Sequence, residues 1–358
     1  MPQGGGPSAP SFQGIDTVSG YEGTGLGDGE GKYFPPPDDM VAKSGGRPHP
    51  SLPQWAIPAI SEDVAREAFV KYASRKCCYS TAPAKELVFQ DLQPFNTYRY
   101  RLETFTESRS SVWKTTPFKG GVVDSYLQGP APSPWSMQVD IPEMFKDHNT
   151  CVPVPHTSSV KGCSDCVRLG KIACRQCHGS GRRCCSLCQG SGRRFVDDQC
   201  THCHGSGNTH CTHCFGRGTQ DCQTCKGAGD LLYYIELQVT WKNNIFEHVV
   251  DQRSGFPSDL FKAVSGEKMF VDEQSLVYPV VNFPEPSINH ASQNAIVQHQ
   301  ASFTSASRIR RQRQTIELIF LTKVEYAWKG KQYSYFVYGN ENKVYAEEYP
   351  KKCCCAVM

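Results

Sequence analysis

A chain of 358 residues with 39% apolar side chains and 11% aromatics has enough apolar material for one or two packed domains, which excludes a wholly disordered protein. Its 38 basic and 35 acidic residues leave a net charge of +3, too even a balance to specify nucleic acid or an acidic membrane as partner. Met1 to Gly20 has no apolar stretch like an export signal, and no apolar run approaches the roughly 18 residues that span a bilayer. The 19 cysteines are therefore expected in a reducing, intracellular setting, where they serve as metal ligands or lipid acceptors rather than disulfides. Residues 1–53, rich in Gly, Pro, Ser and Asp, read as a disordered tail, because so few apolar groups cannot offset the entropy of ordering. Ser61, followed by Glu62 and Asp63 and by Val64, Ala68, Phe69 and Tyr72 at helical spacing, predicts a capped short helix. From Glu86 to Ile141 the period becomes two. Tyr98, Tyr100 and Leu102 alternate with Arg99, Arg101 and Glu103, and Met137, Val139 and Ile141 alternate with less apolar neighbours, which predicts half-buried strands. Residues 54–160 thus form the first part of a β-rich body.

Residues 161–230 are of another kind. Five tandem copies of C-x-x-C-x-G-x-G start at Cys174, Cys185, Cys200, Cys211 and Cys222. A sixth, degenerate copy keeps Cys163, Cys166 and Gly170 but has Arg168 where the first glycine belongs. Twelve cysteines in pairs are the ligand complement of three tetrahedral zinc sites. Successive first cysteines are 11, 11, 15, 11 and 11 residues apart, a series that reads the same in both directions and predicts a hairpin. On that reading Cys185, Cys188, Cys200 and Cys203 form a tip site, and Cys174, Cys177, Cys211 and Cys214 a middle one. Cys163, Cys166, Cys222 and Cys225 form an outer site, the weakest of the three because of Arg168. Phe195, Val196, Asp197 and Asp198 occupy the wider central gap and make the turn. The glycines suit loops that wrap a metal, which need positive φ and backbone N–H groups close to sulfur. With few large apolar residues present, metal must fold this segment, and a structural zinc is worth about 10–16 kcal/mol apparent in small peptides.

Ten Lys or Arg against five Asp in this segment suggest nucleic acid at first sight, but twelve thiolates and three divalent ions bring the loaded arm close to neutral. His178, His202, His204, His210 and His213 are expected in solvent because cysteines already fill the sites, and Cys184 is expected to be unpaired. No His-Glu-x-x-His, phosphate loop or serine elbow occurs, so no catalytic residue is assigned.

Strands resume in residues 231–350, the second part of the body, with Tyr233, Ile235, Leu237, Val239 and Trp241 on one face. A helix is predicted over Pro286–Arg311, its solvated basic end carrying Arg308, Arg310, Arg311 and Arg313. Strands follow over Ile316 to Val324 and Tyr333 to Tyr338, with turns at Gly330 and at Gly339-Asn340. In residues 351–358, Cys355 opens a C-a-a-X sequence of the prenylated type, with Cys353 and Cys354 placed for palmitate and Lys351 and Lys352 for anionic lipid.

The tandem repeats resemble the central cysteine-rich domain of DnaJ (Hsp40) chaperones, which implies an extended zinc hairpin and contact with protein clients. The chain lacks the His-Pro-Asp triplet of a J domain, so stimulation of an Hsp70 ATPase is not implied. Over a longer stretch, Val152-Pro153-Val154-Pro155-His156, the repeats, Arg313-Gln314-Thr315-Ile316, Phe336-Val337-Tyr338-Gly339 and the terminal cysteines together resemble the SSU-two homologue family. The expectation is an α+β, β-rich body with an inserted zinc-binding hairpin arm and a disordered N-terminal tail. Its expected role is a non-enzymatic, chaperone-like adaptor for protein partners, cytoplasmic or nuclear, and attached to membrane through the C-terminus. A nucleic-acid-binding regulator and a zinc-dependent thiol-disulfide exchange factor are the alternatives.

Overall fold

The computed structural model describes residues 18–26, 31–40, 60–194, 198–250 and 254–351. Its strands, in chain order, begin with β1 (Lys32–Phe34), the long β2 (Val88–Phe118), β3 (His148–Pro153) and β4 (Ser159–Gly162). Short strands β5 (Lys171–Ala173), β6 (Arg182–Cys184), β7 (Asn208–His210) and β8 (Thr219–Asp221) lie within the cysteine region. They are followed by β9 (Asp230–Val250), β10 (Glu267–Gln274), β11 (Arg308–Trp328), β12 (Lys331–Tyr338) and β13 (Lys343–Tyr345). The helices are α1 (Glu62–Ser74), α2 (Ala82–Glu86) and α3 (Pro286–Phe303). The β-rich α+β class expected from the sequence is what the chain adopts.

The chain divides into two compact units, one of Met1–Phe34, Arg109–Val139 and Thr150–Val239, the other of Pro35–Ser108, Asp140–Asn149 and Thr240–Met358. In the second unit β11 is central. Antiparallel β2 runs along one edge of it, from Val88 opposite Ala327 to Glu107 opposite Arg308, while β10 and β12 occupy successive stretches of the other edge. Lys329 and Gly330, with φ of 49° and 78°, make the two-residue turn from β11 to β12, as the glycine predicted.

Helix α1 starts where expected, the Ser61 hydroxyl accepting from the Val64 N–H at 3.3 Å. It buries Ala65, Ala68, Phe69 and Ala73, and the Phe69 ring stacks on Tyr335 with centroids 4.0 Å apart. Helix α3 covers another face, packing Ile288, Ala295 and Ile296 onto Tyr98, Tyr100, Leu102, Ile316 and Leu318. The alternation read in β2 is real, but its other face is not open to water. Arg99 is 4% exposed, donating to the Phe261 carbonyl at 3.0 Å and pairing with Glu317, because the turn at Ser258–Ala263 covers it.

Gln314 lies on the apolar face of β11 beneath α3. Its amide donates to Asp272 Oδ2 at 2.9 Å and to the Tyr278 carbonyl at 2.7 Å, and its oxygen accepts from Tyr100 and Ser292 at 3.2 Å each. Every polar atom is thus satisfied in a buried setting, where an orphaned partner costs about 1–3 kcal/mol. Gln314→Leu, which keeps bulk and strips the bonds, is expected to lower unfolding stability by about 2–4 kcal/mol in denaturant titrations. A loss under about 0.5 kcal/mol, the usual surface effect, would contradict this network.

Two predicted elements are corrected. The helix ends at Phe303, where the Thr304 and Ser307 hydroxyls bond the carbonyls of Gln300 and Phe303 at 2.7 and 2.9 Å and supply the final turn with partners. Arg308, Arg310, Arg311 and Arg313 therefore belong to β11, not to a solvated helix end. Arg310 pairs with Glu107 at 3.5 Å, Arg311 with Glu273 at 2.8 Å and Arg313 with Glu103 at 2.7 Å. Met137, Val139 and Ile141 lie in a stretch without strand, since Pro130, Pro132, Pro134 and Pro142 deprive it of ladder donors.

In the first unit, β1 pairs with the end of β2 through Lys32–Phe34 opposite Arg109–Ser111, and β4 pairs with the start of β9. Segments 18–26 and 31–40 of the stretch read as tail are ordered. Aromatic residues explain this, since Tyr21 is buried with its hydroxyl on the Pro132 carbonyl at 2.9 Å and its ring edge-on to Phe34.

A candidate metal centre of three tetra-cysteine groups

The cysteine region leaves the body at β4 and returns into β9. Between them the hairpin is built from rungs, β5 against β8 and β6 against β7, with an isolated bridge from Arg193 to Gln199 near the turn. Phe195, Val196 and Asp197 lie outside the described residues, and the Arg194 N–H donates to the Asp198 carbonyl at 3.0 Å. The palindromic reading of the spacing is the pairing observed.

Three buried groups result: Cys163, Cys166, Cys222 and Cys225; Cys174, Cys177, Cys211 and Cys214; Cys185, Cys188, Cys200 and Cys203. In each group all four sulfurs lie within 4.8 Å of one another. The cross-strand Sγ to Sγ distances are 3.8 and 3.6 Å in the outer group, 3.8 and 3.7 Å in the middle and 3.8 and 3.6 Å at the tip. Sulfurs about 2.3 Å from a central zinc ion sit about 3.8 Å apart at tetrahedral corners. A disulfide would bring them to about 2.05 Å. The donor set therefore fits three zinc ions, with four thiolates closing each site and no position left for a substrate.

Each group is made twice over by the same local device. The second glycine of a repeat donates its N–H to the second cysteine's sulfur, as Gly181 does to Cys177 at 3.2 Å and Gly218 to Cys214 at 3.3 Å. Its carbonyl accepts from the first cysteine of the partner repeat, Cys211 N–H to Gly181 and Cys174 N–H to Gly218, both at 2.8 Å. A Cβ at Gly181 would sit 2.4 Å from the Gly216 carbonyl oxygen, and one at Gly218 would sit 2.3 Å from that of Gly179. The first glycine is approached by side chains and not by backbone: a Cβ at Gly179 would meet nothing closer than Ala173 at 3.9 Å, one at Gly216 would lie 3.0 Å from the His210 ring, and one at Gly205 would lie 2.3 Å from the Gln199 amide. Arg168 occupies that permissive position in the outer group with φ of 66°, its side chain paired with Asp230 at 3.0 Å. The outer group keeps the geometry of the other two because Gly170, the constrained glycine, is retained.

Four buried thiols without an ion resist joint ionisation. Burial and hydrogen bonds from Cys166 and Cys222 push the Cys163 thiol up to about 12. At Cys177 burial acts in the same upward sense but is outweighed by the Gly181 N–H and neighbouring thiols, which bring it to about 7. A divalent cation relieves the repulsion that sets such values apart. His178, His202, His204, His210 and His213 are exposed and outside the three groups, as is Cys184. Cys353, Cys354 and Cys355 lie outside the described residues. One pairing was not legible beforehand: His156 meets Asp124, 32 residues away, at 2.7 Å.

No protein-family model matches the chain. The chain is 52% identical over 353 residues to a zebrafish protein named Protein SSUH2 homolog, covering 99% of this chain and 97% of that relative. It is 45% identical over 355 residues to the human protein of that name, covering 98% and 93%, and 43% identical over 257 residues to the mouse one, covering 72% and 76%.

Proposed function

The chain belongs to the SSUH2 homologue family, and on that premise we propose that its arm binds three zinc ions and presents a protein-interaction surface, acting as a chaperone-like adaptor without catalytic chemistry. The observation that carries this reading is the arm's division of labour: among the described residues of the arm every buried side chain is a cysteine, while large apolar side chains point outward. Val167, Leu169 and Phe215 are 77%, 78% and 80% exposed and Leu187 is 51% exposed. Exposed apolar groups on a scaffold with no core to serve favour contact with apolar segments of another protein. Closed four-cysteine sites are of the structural kind and weigh against thiol exchange, because the thiolates are occupied by metal. Among the described residues no helix is long and apolar enough to cross a membrane.

The test is binding of full-length, zinc-loaded protein to a permanently unfolded client such as reduced, carboxymethylated α-lactalbumin. Saturable binding is expected, with Leu169→Asp and Phe215→Asp together weakening it at least tenfold at unchanged zinc content. Equal binding by the double variant would remove the arm as the interface. Arg182, Arg183, Arg193 and Arg194 are also exposed, which favours nucleic acid as a second reading. That reading predicts affinity for single-stranded RNA or DNA that falls steeply with salt, and insensitivity to the two aspartates.

A further inference from the structure

A cavity of about 700 Å³ opens in the first unit, away from the metal groups, within the size range of small-molecule sites. Its lining includes Trp113, Tyr126, Leu127, Gly129, Pro130 and His156. Trp113 is buried, whereas Tyr126 and Leu127 are 75% and 80% exposed, so aromatic and aliphatic surface lies both inside and at the rim, beside the polar side chains of Ser19, Gln128 and Ser159. His156 is the one imidazole there, and it belongs to the Val-Pro-Val-Pro-His run that the metal arm does not use.

His156 is held in an uncommon backbone conformation, φ of 63°, by a single carboxylate. Its backbone N–H donates to Asp124 Oδ2 at 2.9 Å, and its Nδ1 lies 2.7 Å from Asp124 Oδ1. The bonds from His156, backbone first, hold the Asp124 carboxyl below the ordinary aspartate range. An ionised Asp124 only accepts, which puts the proton of a neutral His156 on Nδ1 and leaves Nε2 as a bare acceptor. The Cδ2–Nε2 edge of the ring faces the cavity lining, lying 3.5 Å from where a Cβ on Gly129 would stand. Nε2 has no hydrogen-bond partner among the described residues. Apolar surface on one part of the lining and an oriented imidazole acceptor on another are complementary to a molecule with an apolar body and a donor.

We propose that this cavity is a ligand site for a small amphipathic molecule, whose aromatic or aliphatic body lies against Trp113 and Leu127 while its hydroxyl or amide N–H donates to His156 Nε2. The site is independent of zinc and of client binding by the arm.

A matched pair of probes separates the two components. Titration of the full zinc-loaded chain with 4-butylphenol and with 4-butylanisole, followed by saturation-transfer NMR and calorimetry, compares one apolar body with and without its donor. The phenol is expected to bind at least tenfold more tightly than the ether. His156→Asn should abolish that difference while leaving weak binding of both, since asparagine tolerates the left-handed backbone and its shorter amide does not reach the position of Nε2. Leu127→Asn should weaken both probes. Asp124→Asn, which keeps the imidazole and frees its tautomer, should narrow the gap and serves if the His156 variant fails to fold. Equal affinity for phenol and ether, absence of binding by both, a preference that survives in a folded His156→Asn protein, or one that is undiminished in a folded Asp124→Asn protein would overturn the assignment.

Discussion

Withdrawal of metal by a high-affinity chelator under reducing conditions is expected to unfold residues 163–229 and leave both ends of the β-rich body folded. The reason is compositional. Among the described residues the buried side chains of this segment are the twelve cysteines, and the hydrogen-bonded strands joining the groups are three residues each. Such rungs do not persist alone, because an isolated hairpin is marginal in water without an apolar face. An apparent contribution of about 10–16 kcal/mol per structural zinc, by contrast, exceeds the ordering cost of a short hairpin. In the second unit, α1 and α3 cover the sheet, burying Phe69 and Ile288 from the helices and Tyr100 and Ile316 from the strands, and none of these contacts involves metal. Hydrogen exchange read by mass spectrometry should therefore lose protection from Cys163 to Gly229 and keep it in β2 and β11. Acid should act like the chelator, since protons compete for thiolates and binding weakens as pH falls. Protection that survives in the arm after complete metal removal would contradict this.

The second large effect separates two glycines only two residues apart. Gly181→Ala places a methyl group 2.4 Å from a backbone oxygen of the partner repeat, at a residue that both donates to a ligand sulfur and accepts from a ligand backbone. No side-chain rotation relieves that contact, so the backbone must move, at a cost of about 1–3 kcal/mol added to about 1–2 kcal/mol for the left-handed backbone. Loss of the middle ion is expected, two being retained in place of three. Gly179→Ala meets open space and pays only for a left-handed backbone, φ of 85°, about 1–2 kcal/mol. It should keep all three ions and release the middle one somewhat sooner to a competing chelator. Metal content of the two purified variants, side by side, checks this. Equal loss in both would mean that positive φ alone, rather than the close approach, makes the glycines necessary.

That contrast also shows where the sequence was informative and where it was not. Cysteine spacing alone gave the pairing, because a hairpin is the arrangement that brings equal intervals on either side of a centre into register. The same pattern marks the outer group as the weakest, since both glycines of a repeat are equivalent in one dimension. Only the packing of Gly170 and Gly229 against the opposing backbone shows that the substituted position, Arg168, is the tolerant one. In the body, the Ser61 cap and the alternation of β2 were legible because both depend on near neighbours. The helix end was misplaced because the competing strand is stabilised by glutamates distant in the chain, Glu103, Glu107 and Glu273. Arg99 looked solvent-facing for a similar reason, as its cover, the turn at Ser258–Ala263, lies more than 150 residues further on. The His156–Asp124 pair is invisible to any local pattern.

Three closed zinc sites in one arm are tested most directly by native mass spectrometry of the reduced chain combined with thiol alkylation. Three zinc ions per chain are predicted, with Cys163, Cys166, Cys174, Cys177, Cys185, Cys188, Cys200, Cys203, Cys211, Cys214, Cys222 and Cys225 protected and Cys77 and Cys184 modified. Two ions or fewer at saturating zinc, or alkylation of any one group at the rate of Cys184, would contradict it.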